Sequence, residues 1–385
     1  MFEERMRARI FINKVHFFLA LIAMVPVVIL CLTGSVLVFK ETIDEYFTSG
    51  YMEVETREVK LSIAEMKARL EAAVPGKEFV GVVLPPREGR AYFFWMKDAP
   101  HWTVGYIDPY TGDFKGLRAW EDWTLANTIW WVTDLHSTFK WGEPGSYVVA
   151  ASSAILLFSM ITGLILWWPR TGKLDRSKFT LRVGKRWKQS AYNLHAVLGF
   201  YASAVVIVLT LTGMAMTFAE PFSRFLRAAT QSEEPSHPPK LMADVDRPFL
   251  PAERLIAIAL GHLSQTYGIS PHPESMGFPT ADNVIVEIGL QGKPEYAGAD
   301  HTHVFVNAQS GEVVAVETAA NRTGADTFVS WIGAVHYGTW GEVFGESGDW
   351  LTRILWFLSA LTPLFLFVSG YTIVKKSRWK GLFKR

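Results

Sequence analysis

Four histidines carry the spacing that chemistry would use. His16 and His195 each lead an apolar run that closes in Leu-Thr-Gly, and the glycine, Gly34 or Gly213, falls eighteen residues after its histidine. An asparagine, Asn13 or Asn193, stands just before each of them. His136 lies 24 residues after Gly112 and His336 lies 25 residues after Gly311. Both sit in Trp-rich stretches, with Trp130, Trp131 and Trp141 around the first and Trp331 and Trp340 around the second. This order gives two matched pairs, His16 with His195 and His136 with His336. Neutral imidazoles facing each other in an apolar bundle suit the iron of a b-type haem, whose flat ring fits between helices and which accepts one nitrogen from either side. Zinc fits less well, because each pair lacks the Cys or matched carboxylate that would complete a tetrahedral set. A single boundary histidine is ordinarily a snorkelling or hydrogen-bonded residue; four at corresponding positions argue for ligands.

The elements that must position these residues are membrane helices. Four apolar segments, 16–39, 147–168, 195–218 and 350–374, each reach the roughly 20 residues needed to cross a hydrocarbon core about 30 Å thick. With 49% hydrophobic residues in 385, the chain shares its length between lipid and water. The net charge of +1 says little, but its distribution sets an orientation. Arg5, Arg7, Arg9 and Lys14 precede the first span, and Arg170, Lys173, Arg176, Lys178, Arg182, Lys185, Arg186 and Lys188 fill the loop 169–194. The tail 375–385 adds Lys375, Lys376, Arg378, Lys380, Lys384 and Arg385. The positive-inside rule places these segments in the cytoplasm and 40–146 and 219–349 outside. The same basic charge meets anionic lipid, and docking of an acidic electron carrier is its less favoured use. The first span is too long for a cleaved signal peptide and reads as a retained anchor, so residues 1–39 form the N-terminus and first helix. Cys31 is the only cysteine, which excludes an intrachain disulfide, and no Cys-x-x-Cys-His for covalent haem attachment is present.

The two outer segments follow one plan. In the first, Ser62 to Ala73 reads as an amphipathic helix, followed by strands at Phe79 to Leu84, Ala91 to Met96, Trp102 to Asp108 and Asp113 to Leu117, the last two joined by an Asp108-Pro109-Tyr110-Thr111-Gly112 turn. In the second, Pro251 to Tyr267 reads as a helix, with strands at Asn283 to Ile288, His303 to Asn307 and Glu312 to Glu317 around the turn Asn307 to Gly311. Gln231 to Pro239 reads as a linker or exposed loop. The expected fold is therefore a membrane α-helical protein with α+β modules outside the membrane, two internal repeats of one unit. Gly34, Gly163, Gly213 and Gly370 each fall in a span, where a missing side chain admits a helix or a porphyrin at close range. The other histidines promise less: His301 and His303 share a strand, His101 holds a comparable place in the first module, and His237, His262 and His272 fall in loops or a polar helix. Met160, Met214 and Met216 read as packing.

The Asn-x-x-His or Asn-x-His lead, the Leu-Thr-Gly exit and the Asp-Pro-Tyr-Thr-Gly-Asp-Phe turn between strands resemble the PepSY-associated transmembrane proteins. Within that family the chain is most similar to the ferric-siderophore reductases of bacterial inner membranes, of the ferrioxamine (FoxB-like) type. The second turn departs from the pattern, with Asn307-Ala308-Gln309 in place of Asp-Pro. The resemblance implies two PepSY-like modules and two b-type haems, with His16 and His195 as axial ligands of the inner iron and His136 and His336 of the outer one. It also implies an oxidoreductase that carries electrons from the cytoplasmic side or the membrane pool to a periplasmic ferric siderophore.

On this reading the chelate is held near Trp130, Trp131, His136, Trp331 or His336, and iron leaves because hard oxygen ligands hold Fe(III) better than Fe(II). No Gly-x-Gly-x-x-Gly, Walker loop or Cys cluster is present, so the electron donor, a quinol or a soluble reductase, is external, and nucleic acid is not an expected partner. A haem-free, membrane-anchored PepSY binding or regulatory protein is the alternative, and a tether of that kind has no use for matched imidazoles. Transport of the siderophore itself suits the chain poorly, since four helices without buried acids or a broken helix make no pathway.

Overall fold

The computed structural model describes residues 2–98, 101–169, 175–182, 184, 186–232, 238–291, 301–318 and 321–373. His237, Arg170, Lys173, Lys185, most of the Gln231–Pro239 stretch and the basic residues of the tail lie outside these. The chain forms two compact units: residues 1–39, 132–222 and 332–385 make one, and 40–131 with 223–331 make the other.

The first unit is a helical bundle. Its long helices are α1 (Phe2–Leu37), α5 (Glu143–Trp167), α6 (Trp187–Thr217) and α10 (Glu346–Ile373). All four are long and apolar enough to cross a membrane. They pack as a ring, α1 against α5 and α10, and α6 against α5 and α10, so that α1 and α6 stand on opposite sides of a shared interior. Ala23, Val27, Met160, Val206 and Leu366 are buried there, while residues such as Ile22, Val25, Phe158, Leu358 and Val368 point outward and exposed, as lipid-facing side chains would. Hydropathy marks the apolar run and not where a helix begins, so α5, α6 and α10 each start before the apolar segments at 147, 195 and 350. His195 consequently lies in the third turn of α6, well inside the helix.

The second unit is an eight-stranded antiparallel sheet backed by two helices. Its strands are β1 (Glu78–Val83), β2 (Tyr92–Asp98), β3 (His101–Ile107), β4 (Phe114–Ala119), β5 (His272–Gly277), β6 (Ile285–Gln291), β7 (His301–Asn307) and β8 (Val313–Glu317). The spatial order is β4-β3-β2-β1-β5-β6-β7-β8. The two modules expected from the sequence thus share one sheet, because β1 pairs with β5 through Gly81 with Gly277, Val82 with Met276 and Val83 with Ser275. Helices α3 (Ile63–Ala73) and α8 (Ala252–Tyr267) bury Met66, Leu70, Leu255 and Leu263 against Phe94, Ile107, Ile288 and Val304, forming one core across both halves. Ser62 and Glu65 close a reciprocal capping box at the start of α3.

The two turns noted in the sequence have the same construction despite their different residues. Asp108 Oδ1 accepts from the backbone N–H of Tyr110 and Thr111 at 2.8 and 3.2 Å, and Asn307 Oδ1 accepts from Gln309 and Ser310 at 2.9 and 3.0 Å. Gly112 (φ 74°) and Gly311 (φ 77°) then adopt the left-handed conformation that lets each chain reverse. An Asn side-chain oxygen does the work of an Asp here, so the second turn needs no Asp-Pro.

Four shorter helices were not legible as helices in the sequence: α2 (Lys40–Met52), α4 (Thr128–Thr138), α7 (Ala219–Thr230) and α9 (Gly324–Tyr337). Two of them carry functional candidates, His136 near the end of α4 and His336 near the end of α9. The beginning of α4 is held by Arg118, only 3% exposed. Its guanidinium donates to both carboxylate oxygens of Asp44 at 2.8 and 3.2 Å, to Asn127 Oδ1 at 3.1 Å and to the Tyr106 hydroxyl at 2.9 Å, and it lies 4.0 Å from the Trp130 ring centre. At the start of α9, Asp326 accepts from the Thr323 hydroxyl at 2.7 Å and from Arg227 at 2.8 and 3.1 Å. The far end of α9 is fixed by Trp356 of α10, whose Nε1–H donates to Val335 O at 2.7 Å.

Candidate haem-binding sites in the helical bundle

The four sequence-selected histidines come together in two pairs. His16 of α1 and His195 of α6 face each other with ring centroids 6.3 Å apart and planes at 87°. His136 of α4 and His336 of α9 lie at the same centroid distance, 6.3 Å, with planes at 53°. A metal about 2 Å from one nitrogen of each ring, bound on opposite sides, separates two imidazole centroids by roughly 6 to 6.5 Å. Both pairs have the spacing of two ligands to one ion.

Each ring rests on a two-residue seat of identical chemistry. His136 lies against Thr33-Gly34, His16 against Thr162-Gly163, His336 against Thr212-Gly213 and His195 against Ser369-Gly370. The glycine gives room: a Cβ added at Gly34, Gly213, Gly163 or Gly370 would stand 2.9, 3.1, 3.3 or 3.3 Å from the Cε1 of the facing ring. The hydroxyl gives direction. Thr33, Thr162, Thr212 and Ser369 lie 2.8, 3.1, 2.9 and 3.0 Å from the Nδ1 atoms of His136, His16, His336 and His195.

The tautomer follows from the other bond each hydroxyl makes. Thr33 donates to Ile29 O at 2.7 Å, Thr162 to Phe158 O at 2.8 Å, Thr212 to Val208 O at 2.7 Å and Ser369 to Phe365 O at 2.8 Å. With its proton committed to the carbonyl four residues earlier, a hydroxyl has only lone pairs to offer, so each histidine must donate from Nδ1–H. In a neutral imidazole Nε2 is then bare and available to a metal. His16 Nδ1 also lies 3.0 Å from the backbone carbonyl oxygen of Ser159, and His136 and His195 have the backbone carbonyls of Leu30 and Leu366 at the corresponding place.

The surroundings suit a flat apolar ligand with a polar centre. Ala20, Ala23, Val27, Leu156, Met160 and Leu366 line the cavity beside His16 and His195. Among the described residues no group of three or more His, Cys, Asp or Glu side chains is placed to hold a metal ion. Residues, spacing and protonation thus fit a bis-imidazole haem at either pair. Eighteen residues separate His16 from Gly34 along α1, so at 1.5 Å per residue the two pairs are stationed about 27 Å apart along that helix.

The family model for the PepSY-associated TM region matches residues 13–376, which takes in all four histidines and all four seats. The chain belongs to this PepSY-associated family. It is a membrane protein, and no curated protein matches its sequence.

Of the remaining sequence candidates, Met160 lines the cavity beside His16 and His195 and packs against Ala202, Val206 and Leu366, and the histidines sit elsewhere. His303 on β7 lies with its Nδ1 2.7 Å from Glu287 Oε1 on β6, a cross-strand pair. His262 is on α8 next to Tyr267, and His272 opens β5, a strand and not a loop. Histidine spacing alone did not point to the seat hydroxyls as partners of the rings. A Ser or Thr directly before each of the four span glycines was the signal that would have found them.

Proposed function

We propose that this protein is a di-haem electron-transfer protein of the bacterial inner membrane that reduces periplasmic ferric siderophores, releasing iron for uptake. The observation that carries the proposal is the pair of 6.3 Å histidine contacts, each ring held with Nδ1 protonated by a Ser/Thr-Gly seat. Resemblance to ferric-siderophore reductases supplies the substrate class. The basic N-terminus, loop and tail support cytoplasmic termini, with 40–146 and 219–349 in the periplasm.

In this reading His16 and His195 hold the inner haem and His136 and His336 the outer one. Bound haem supplies a one-electron iron couple at each level. The chain's own contribution is positional: the seats aim the imidazoles, the glycines admit the rings, and the apolar lining keeps water from the inner site. No side chain needs to gain or lose a proton, because Nδ1–H stays with its hydroxyl throughout. The chelated Fe(III) gains one electron and becomes Fe(II), for which hydroxamate or catecholate oxygens are poorer ligands. An external quinol or soluble reductase provides that electron.

The test is the purified full-length protein from haem-replete cells. Two haems per chain, a bis-imidazole spectrum on reduction, and anaerobic reoxidation by a panel of ferric siderophores are expected. A colourless preparation rejects the haem assignment and favours the binding-protein alternative; a coloured one that no ferric chelate reoxidises rejects the substrate.

A further inference from the structure

The eight-stranded sheet has a second face, turned away from α3 and α8. Phe94, Met96, Met276 and Ile288 point into the helix-covered core, so their neighbours along the strands, Trp95, Gly277 and Glu287, point the other way. Strand register sets these in one row. Trp95 of β2 opposes Gly81 of β1, Gly81 opposes Gly277 of β5, and Gly277 lies beside Glu287 of β6, one step from the Met276 and Ile288 pair. Two glycines between a tryptophan and a glutamate leave a trough three strand spacings wide, about 14 Å. Its cavity measures about 460 Å³, in the range that small organic ligands fill.

The two glycines are there for different reasons. A Cβ at Gly81 would stand 2.7 Å from Met276 O, so the β1–β5 pairing itself demands glycine. A Cβ at Gly277 would meet nothing nearer than Glu287 O at an ordinary 3.7 Å. Glycine weakens a strand interior, and strand packing does not ask for it at Gly277; what its bare backbone preserves is the open floor.

The walls are of two kinds. Trp95 is held by Trp130, stacked on it at 6.1 Å, and by Trp102, perpendicular to it at 6.3 Å. Across the floor stand Glu274 and Glu287, and His303 Nδ1 lies 2.7 Å from Glu287 Oε1. Lys97 Nζ, 6.0 Å from the Trp102 ring centre, puts positive charge at the aromatic end. A ligand with one cationic group is thus turned with that group toward the carboxylates and its body toward the indoles.

We propose that this trough binds a small organic amine free in solution, its apolar body against Trp95 and Trp102 and its ammonium group toward Glu274 and Glu287. The site is separate from the histidine pairs and does not rest on the haem reading.

The experiment is a ligand-observed NMR titration of the full-length protein in detergent, with protein-free micelles as baseline. Three probes share one phenol body and differ at the other end: tyramine carries an ammonium, tyrosol a hydroxyl and 3-(4-hydroxyphenyl)propanoate a carboxylate. Wild type is expected to bind tyramine saturably, tyrosol about fivefold more weakly, the order an exposed ion pair supplies, and the propanoate not at all. Glu274→Gln combined with Glu287→Gln should bring tyramine down to the affinity of tyrosol and leave tyrosol unchanged. Trp102→Ala should weaken both, and Gly277→Val, whose methyl groups fill the floor, should abolish both. Glu312→Gln, at a turn outside the trough, should bind like wild type.

Should Trp102→Ala fail to fold, the double Gln variant and Gly277→Val carry the test, since neither adds a clash. Equal binding of tyramine and tyrosol to wild type, no saturable tyramine binding, or full tyramine affinity in either the double Gln variant or Gly277→Val overturns the inference. Haem-free protein that still selects tyramine supports it while removing the haem reading. Haem-loaded protein indifferent to tyramine does the reverse.

Discussion

The Cε1 edge of His136 lies over Gly34 so closely that a single methyl group there would stand 2.9 Å from the ring. Real Cβ atoms do not sit that near a neighbour, so Gly34→Ala must displace the imidazole or the helix beneath it. At Gly163 and Gly370 the same methyl would meet its histidine at 3.3 Å, where a few tenths of an ångström of adjustment suffice. Haem content per chain should therefore fall most for Gly34→Ala, less for Gly213→Ala and least for Gly163→Ala and Gly370→Ala. Gly199→Ala, whose Cβ would meet Leu366 at an ordinary 3.6 Å, serves as the control and should keep wild-type content.

The proposed ligand assignments separate by pair. His136→Ala and His336→Ala should each remove the outer haem alone, and His16→Ala and His195→Ala the inner one alone, giving about half the wild-type haem in a pyridine haemochrome assay. Full haem content in one variant of each pair would show that the pairing is wrong. Removing His16 and His195 together should also stop delivery of electrons from the cytoplasmic side while leaving the outer haem reducible by a chemical reagent added outside.

Arg118 anchors the start of the helix that carries His136. Its side chain is buried, bidentate to Asp44, bonded to Asn127 and Tyr106, and stacked over Trp130. Removing one partner of such a pair strands the other polar groups at a cost of about 3 to 5 kcal/mol. Arg118→Ala should lower the unfolding free energy measured by denaturant titration by an amount in that range, and Arg118→Lys should recover only part of it, because an ammonium cannot span both carboxylate oxygens.

Asp326 gives the start of α9 a pH dependence. Burial alone would raise its pKa, but the Thr323 hydroxyl and Arg227 outweigh burial and hold it below the ordinary value of 3.8. A carboxylate depressed in the folded state adds stability above its unfolded pKa and loses it as pH falls through the folded one. Asp326→Asn should therefore lower stability at neutral pH, and the gap to wild type should close as pH falls from 3.8 through the lower folded-state pKa, beneath which both carry a neutral group. A gap that stayed constant across that window would assign the effect to packing alone.

Much of the helical unit was legible because lipid imposes a simple rule: four apolar stretches of sufficient length, each with its histidine at a repeated interval. The seats were not. A threonine inside an apolar helix ordinarily returns its hydroxyl to its own backbone, as Thr33 and Thr212 do, and nothing local reveals that the spare lone pair meets a ring from a helix some 100 residues away. The sheet was legible strand by strand wherever side chains alternate, as in β2 and β6. It failed at β5, where His272-Pro273-Glu274-Ser275 lacks β-branched alternation and the register slips between Pro273 and Ser275. Without β5 there was no reason to join the halves. Helices α4 and α9 were hidden for another reason: their tryptophans suit a membrane boundary equally well in an extended or a helical chain.

The β1–β5 pairing carries a consequence for how this protein is made. When the first half has been synthesised, its innermost strand faces an empty place, and a bare strand edge recruits whatever strand comes to hand. Synthesis must thread two more spans and deliver residues 272–277 before that place is filled by its own chain. A ribosome that stalls between the halves leaves a sticky fragment behind, and two pieces cut in the basic loop can restore the whole only by meeting in the same membrane.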